Sequence, residues 1–173
     1  MGVSTFTPRS KCYLTTPVDE QEPKEAMTKI RRIVCPTDFS PTARIAIDYA
    51  AEMARSLGAE MVLLHVVPEL SYPTRSFGMA NAFPHLREEL HKRASEELEA
   101  ERARLDPATK VTTELRDGVS HEQVLECAHA QKADLIVMGT HGHTGLTHLV
   151  LGSTAERIVR MADCPVMTVR TPK

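Results

Sequence analysis

Short apolar runs alternate with longer segments of helical period along most of this 173-residue chain. The runs at residues 33–35, 61–67 and 135–138 are nearly continuous in apolar side chains, as in strands that are buried on both faces. Between the first two runs, apolar residues recur at the spacing of one helix face. Strands that alternate with helices form a mostly parallel sheet with helices on both sides. The sequence therefore predicts an α/β domain built on a single doubly wound open sheet.

Capping and turn residues mark the ends of these segments. Ser40 predicts the start of the first helix, Gly58 its end, and Pro36 the end of the first strand. The glutamates at residues 88–101 are expected on a solvated helix face with i,i+4 ion pairs. The remaining elements are expected as a charged helix at about residues 84–105, a strand at 111–115, a helix opened by a capping box at 120–123, a helix at 153–162 and a last strand at 165–169.

Residues 1–28 have a different character from the rest of the chain. They contain several prolines, serines and threonines, and they show neither a helix nor a strand period. We expect a mostly disordered tail there, followed by one domain over residues 29–173. Alternatively, translation of the natural protein starts at Met27. The tail is then an extension that the natural protein lacks.

Charge and composition argue against several classes of function. The formal net charge is −2 and Lys and Arg are spread along the chain, so a nucleic-acid partner is not expected. No apolar stretch reaches about 18 residues, so no membrane-spanning helix is expected. The four cysteines form no C-x-x-C pair, which argues against a zinc or redox site. With no export signal recognised, a cytoplasmic protein is expected.

A glycine-rich loop follows the buried strand of the second half. Gly139 and Gly142 are followed by Gly152, after which Ser153 is expected to open a helix. Glycines allow a backbone to approach an anion closely, and the free N–H groups of a helix start attract phosphate. A plain capping box from Ser153 to Glu156, with the glycines as turn residues, explains the same pattern. The loop is neither a Walker A nor a G-x-G-x-x-G loop, since no Lys follows the last glycine and the glycine spacing differs.

The spacing from Gly139 to Ser153 resembles in full the G-x2-G-x9-G-[ST] nucleotide-binding signature of the universal stress protein family. Residues 36–40 resemble the opening motif of that family, and residues 63–66 resemble its second strand. The resemblance covers about residues 29–173. It implies five parallel strands in the order 3-2-1-4-5 with helices on both faces, so that the first and fourth strands are neighbours at the switch point.

The resemblance also implies the residues that would bind ATP. In the ATP-binding branch of the family, the contacts to adenine and ribose correspond here to Pro36, Thr37, Asp38 and Val66, with Met138 beside the ribose or base. The phosphate contacts correspond to Gly139, His141, Gly142, Gly152, Ser153 and Thr154, with His143 at the rim of the loop. Asp38 is also a candidate ligand of a magnesium ion that accompanies the phosphates. The last strand, Val166–Val169, is expected to pair with its own copy in a homodimer.

Other interpretations compete for some of these residues. Asp38 can also serve as a turn residue beside Pro36. The spacing of His141, His143 and His148 matches no zinc pattern, so these histidines are not expected to form a metal site of their own. A histidine in an apolar strand, His65, is expected to be a core residue with its hydrogen bonds satisfied.

The function that follows from the resemblance is an ATP-binding universal stress protein with a nucleotide-dependent regulatory role in the stress response. Hydrolysis of ATP needs a positioned water, charge neutralisation at the γ-phosphate and usually a metal. The sequence shows no Walker lysine, no recognisable arginine finger and no local catalytic triad motif. Regulatory binding is therefore favoured, with a weak ATP hydrolase and a nucleotide-free dimeric interaction module as the alternatives.

His143 stands where the family often has Arg or Lys, and this difference predicts a pH-dependent affinity. Because an imidazole gains a positive charge as the pH falls, ATP is expected to bind several-fold more tightly at about pH 5.5 than at about pH 8. Isothermal titration calorimetry across this range measures the effect. An affinity that stays flat would contradict the prediction.

Overall fold

The chain forms one five-stranded parallel sheet in a computed structural model that describes residues 29–68, 82–140 and 151–170, with side chains from residue 85 onward in the second range. The strand order is β3-β2-β1-β4-β5, which confirms the expected fold. The elements are β1 (Arg32–Thr37), α1 (Pro41–Leu57), β2 (Glu60–Val67), α2 (Ala82–Arg104), β3 (Lys110–Asp117), α3 (Ser120–Ala130), β4 (Leu135–Gly139), α4 (Ser153–Met161) and β5 (Val166–Val169). The tail expected at residues 1–28 lies outside the described residues.

The central strand β1 separates the two halves of the sheet. It pairs with β2 from Arg32 to Thr37 and with β4 at Ile33 and Val34. The expectation that Pro36 ends the strand is wrong, since β1 continues through it to Thr37. Pro36 lies beyond the residues that pair with β4, where a missing N–H group is tolerated. The sheet therefore opens between β1 and β4 at their carboxyl ends.

Helices cover both faces of the sheet, as expected. Ile33 packs in a core cluster with residues of α1 and α2, whereas its neighbour Val34 packs in a second cluster with residues of α3 and α4. Leu63 and Leu64 of β2 divide between the same two clusters. All four side chains are fully buried, which explains why these strands are apolar without alternation.

The predicted ends of α1 are confirmed. The Ser40 hydroxyl accepts a hydrogen bond of 3.2 Å from the Ala43 N–H, and Gly58 ends the helix with a left-handed φ of 65°. The capping box expected at residues 120–123 is wrong, because Val119 is the N-cap and no side chain caps α3. Gly118, with a φ of 132°, turns the chain and leaves Val119 as the extended residue before the helix.

The charged helix α2 begins at Ala82 and is largely exposed, with i,i+4 pairs such as Glu89 with Arg93. Glu101 is an exception to the expected solvated face, because only 5% of it is exposed. Its carboxylate accepts hydrogen bonds from the guanidinium groups of Arg44, at 2.8 Å, and Arg104, at 3.0 and 2.8 Å. A buried carboxylate needs such partners, and α1 supplies one of them. None of the described helices is both long and apolar enough to cross a membrane.

The described cysteines behave as small apolar residues. Cys35 and Cys127 are buried, and Cys164 is partly buried. Burial raises the pKa of the Cys127 thiol to about 12 and raises the pKa of Cys35 well above its usual range. These thiols therefore stay protonated and unreactive at neutral pH.

Candidate functional site

A cavity of about 310 Å³ lies at the carboxyl ends of β1, β2 and β4. Part of its wall is apolar and is formed by Pro36, Leu64, Val66, Val124, Met138 and Ile158. The polar part is formed by Thr37, Asp38, His65, Ser120, Thr140, Ser153 and Thr154, and Ala43, Gly139, Gly152 and Ala155 complete the lining. We call this cavity the crevice. It lies where the strand order reverses, which is where ligands bind in open parallel sheets.

The crevice brings together most of the residues that the sequence predicted for nucleotide binding. Those that line it are Pro36, Thr37, Asp38, Val66, Met138, Gly139, Gly152, Ser153 and Thr154. His141, Gly142 and His143 lie outside the described residues. Contact of any of these residues with a ligand stays a prediction.

The start of α4 forms the polar floor of the crevice. Gly152 is the N-cap, Ser153 is the first helical residue, and among the described residues no side-chain hydrogen bond caps the helix. The capping box from Ser153 to Glu156 is therefore absent, and the Glu156 N–H donates instead to the Gly152 carbonyl at 2.8 Å. Ser153, Thr154 and Ala155 line the cavity, so the positive end of the helix dipole lies at the crevice.

Backbone hydrogen bonds set the position of this helix start. The Gly152 N–H donates to the Thr140 carbonyl at 2.9 Å, and the Thr140 N–H donates to the Val169 carbonyl at 3.0 Å. Only 2% of Thr140 is exposed. Gly152, just before α4, is thus bonded to Thr140, just past the end of β4. Thr140 in turn is bonded to Val169 at the end of β5. The two ends of the chain around segment 141–150 are therefore hydrogen-bonded to each other, through Thr140 and Gly152, and Thr140 is also bonded to β5.

Gly139 packs closely against α1 at the end of β4. A Cβ atom at this position would lie 3.1 Å from the Cγ2 atom of Thr42 and 3.3 Å from its carbonyl carbon. The second distance involves backbone, which cannot move without shifting the helix. Close packing therefore explains a glycine at position 139 without any bound phosphate. Contact of Gly139 with a phosphate stays a prediction.

The end of β1 and the loop after it also line the crevice, through Thr37 and Asp38. The Thr37 hydroxyl accepts a hydrogen bond of 3.0 Å from the Phe39 N–H, and the Asp38 Oδ1 atom accepts one of 3.0 Å from the Ser40 N–H. Phe39 has a φ of 63°, which is uncommon for a residue with a side chain. Asp38 therefore acts as a turn residue, which is one of the two roles that the sequence predicted for it. Asp38 also lines the crevice, where ligand contact stays a prediction.

His65 is satisfied by hydrogen bonding, as expected. Its Nδ1 atom lies 2.8 Å from the Thr37 carbonyl oxygen, and its ring stacks on Phe39 with centroids 4.4 Å apart. Since a carbonyl can only accept, Nδ1 carries the proton. Burial is the main cause that lowers the pKa of His65, so the ring is neutral at pH 7. His65 also lines the crevice, which the sequence did not indicate.

Sequence reasoning missed further residues of the crevice. They include Ser120 and Val124 of α3 together with Leu64, Thr140 and Ile158. A signal for Ser120 was present, because it lies three residues after the last residue of β3 and carboxyl ends of parallel strands share one edge of the sheet. The positions of Val124 on α3 and Ile158 on α4 depend on helix packing, and no local pattern marks these two residues.

The charges of the crevice are few. Among the described lining residues Asp38 is the one acidic group, and none is Lys or Arg. The described part of the chain has no group of three His, Cys, Asp or Glu side chains that could hold a metal ion. An anion bound here would be attracted chiefly by the α4 N–H groups and by neighbouring hydroxyls.

The model of the universal stress protein family matches residues 29–170. The chain belongs to the universal stress protein family. Universal stress protein MJ0531 of Methanocaldococcus jannaschii is 35% identical over 147 residues, which cover 83% of this chain and 84% of the relative.

Solved structures of universal stress proteins agree with the described fold. Protein MJ0577, of the same organism, superposes with a TM-score of 0.70 at 29% identity, over 84% of this chain and 99% of that one. UspA of Lactobacillus plantarum superposes with a TM-score of 0.69 at 27% identity, over 82% of this chain and 99% of that one. The sheet order and the surrounding helices are thus those of the family.

The packing role of Gly139 predicts a stability effect. Gly139→Ala is expected to lower the free energy of unfolding by about 1–3 kcal/mol, because the new methyl group overlaps Thr42. Urea unfolding followed by circular dichroism measures the change. Adding Thr42→Ser, which removes the Cγ2 atom, is expected to restore part of the loss. Equal stability of Gly139→Ala and the unsubstituted protein would contradict this explanation.

Proposed function

We propose that this protein binds an adenine nucleotide, ATP, in the crevice, and that nucleotide occupancy regulates its role in the stress response. The observation that supports this most is the uncapped start of α4. Gly152 leaves the first N–H groups of the helix without a cap from its own side chain, in the same cavity that Asp38 lines. A bound phosphate would supply the acceptors that a capping side chain usually provides.

The two sides of the crevice suit the two ends of a nucleotide. In our proposal the base packs against apolar side chains such as Val66 and Met138, both of which are buried. The Asp38 carboxylate accepts hydrogen bonds from the ribose hydroxyls. The phosphates lie at Gly152, Ser153 and Thr154, which line the crevice at the start of α4. This placement follows the residues that the family signature predicted.

A magnesium ion fits the proposal as a companion of the phosphates. Magnesium sites in nucleotide-binding proteins use one or two carboxylates together with phosphate oxygens and water. Asp38 is the one carboxylate among the described lining residues, so in this alternative it binds the ion and not the ribose hydroxyls. The ion would neutralise part of the phosphate charge, which matters here because the described lining has neither Lys nor Arg. Binding without rapid hydrolysis agrees with this sparse set of ionisable groups.

Substitutions at Gly152 test the proposal most directly. Its φ of −58° and ψ of 147° are accessible to any residue, so Gly152→Val is expected to fold and to abolish detectable ATP binding by filling the phosphate space. Gly142→Val is expected to do the same. Gly152→Asp is expected to cap α4, to raise its stability by about 0.5–1 kcal/mol, and to exclude ATP by repulsion.

Calorimetric titration with ATP and thermal unfolding measure the two effects in the same samples. Gly152→Asn is the matched control, because it caps a helix as Asp does and carries no charge. It is expected to stabilise the fold and to weaken ATP binding less than Gly152→Asp. Unchanged ATP affinity in Gly142→Val and in every Gly152 variant would contradict the proposed site.

We also propose that two copies pair through β5. This strand lies at one edge of the described sheet, Thr168 is exposed on it, and the nearby α4 side chains Val159 and Met161 are 47% and 57% exposed. Sedimentation is expected to give twice the chain mass of 19.2 kDa. Thr168→Lys is expected to return it to the single chain, because a two-fold axis brings like charges together. A monomeric unsubstituted protein would contradict the proposal.

A further inference from the structure

The loop that carries Asp38 is shaped by hydrogen bonds between near neighbours. Thr37 bonds to the Phe39 N–H, Asp38 bonds to the Ser40 N–H, and Ser40 bonds to the Ala43 N–H. These contacts span two or three residues, so they define the internal shape of the loop. They do not attach the loop to β2, which forms the neighbouring wall of the crevice.

His65 on β2 makes that attachment. It is the register partner of Thr37, and its side chain reaches the Thr37 carbonyl oxygen at 2.8 Å. The same ring stacks on Phe39, with an angle of 27° between the two rings. One imidazole therefore contacts the residue before Asp38 and the residue after it.

This double contact explains how the loop keeps an unusual backbone. A left-handed φ at a phenylalanine is unfavourable and persists only where surrounding contacts impose it. The stack with His65 holds the Phe39 ring in place, and the Thr37 bond holds the backbone on the other side. The neutral state of His65 leaves its Nδ1 proton directed at a carbonyl acceptor near pH 7.

We propose that His65 is a positioning residue of the nucleotide site, which orients the Asp38 carboxylate toward the ligand by holding Thr37 and Phe39. This inference rests on the proposed function. His65 itself acts through the loop, and the loop also leads into the cap of α1 at Ser40. The geometry of one crevice wall thus depends on a side chain from the neighbouring strand.

Two variants separate the two contacts of His65. His65→Asn keeps an N–H donor near the position of Nδ1 and removes the ring, whereas His65→Phe keeps a ring for the stack and removes the donor. Each is expected to weaken ATP binding about tenfold, as calorimetry measures it, because each loses one contact to the loop. His91→Phe is the matched control. His91 bonds to Asp117 at 2.7 Å and does not line the crevice, so its ATP affinity is expected to be unchanged.

A double substitution tests whether His65 acts through Asp38. In an Asp38→Asn background, His65→Phe is expected to have little further effect on ATP affinity, since the carboxylate that it orients is already gone. A purely structural role of His65 would lower the melting temperature and leave the ATP affinity of the folded protein unchanged. Unchanged affinity in both single variants, or a full tenfold loss that persists with Asp38→Asn, would overturn the proposal.

Amide hydrogen exchange in the unliganded protein gives a measurement that needs no nucleotide. The Phe39 and Ser40 amides are expected to exchange about tenfold faster in His65→Phe than in His91→Phe. Absence of ATP binding by the unsubstituted protein would overturn the proposed function. Equal exchange in the two variants would overturn the positioning role of His65, whatever the ligand is.

Discussion

The burial of β1 on both faces is the constraint on which the rest of the structure depends. Ile33 and Val34 are adjacent and fully buried, and they belong to opposite core clusters. The chain leaves β1 for α1, which packs on one face, and it leaves β4 for α4, which packs on the other. Two neighbouring parallel strands whose connections go to opposite faces leave a gap between their carboxyl ends. The crevice is a consequence of this topology.

The electrostatic character of the crevice comes mainly from backbone. Ala43 of α1, Ser120 of α3 and Ser153 of α4 all lie near helix starts, and all three line the crevice. Helix starts carry partial positive charge and free N–H donors. The N-cap residues of α3 and α4 make no side-chain cap hydrogen bond, whereas at α1 the Ser40 side chain already occupies the cap. Of the two starts without such a cap, that of α4 lines the crevice with more residues, from Gly152 to Ala155.

Most of the local predictions hold where the deciding interaction is itself local. The cap of α1 at Ser40 and its end at Gly58 depend on residues within one turn, and both are confirmed. The N-cap of α3 was placed one residue too late, because the turn at Gly118 leaves Val119 as the extended residue before the helix. The start of α4 at Ser153 is confirmed, and the alternative of a Ser153 cap fails because Gly152, bonded to Thr140, is the N-cap. Glu101 is likewise buried through partners that include Arg44 on another helix.

The sequence alone determined the alternation of buried strands and helices, and thereby the fold class. It also supplied the glycine spacing, from which the family and the strand order were inferred. Only the tertiary structure placed Ser120, Val124 and His65 at the crevice, and it alone showed how closely Gly139 packs against Thr42. Periodicity reports which face of an element is buried, because burial requires apolar side chains along that face. It does not report which elements meet, since that depends on strand order and on the packing of helices across the sheet.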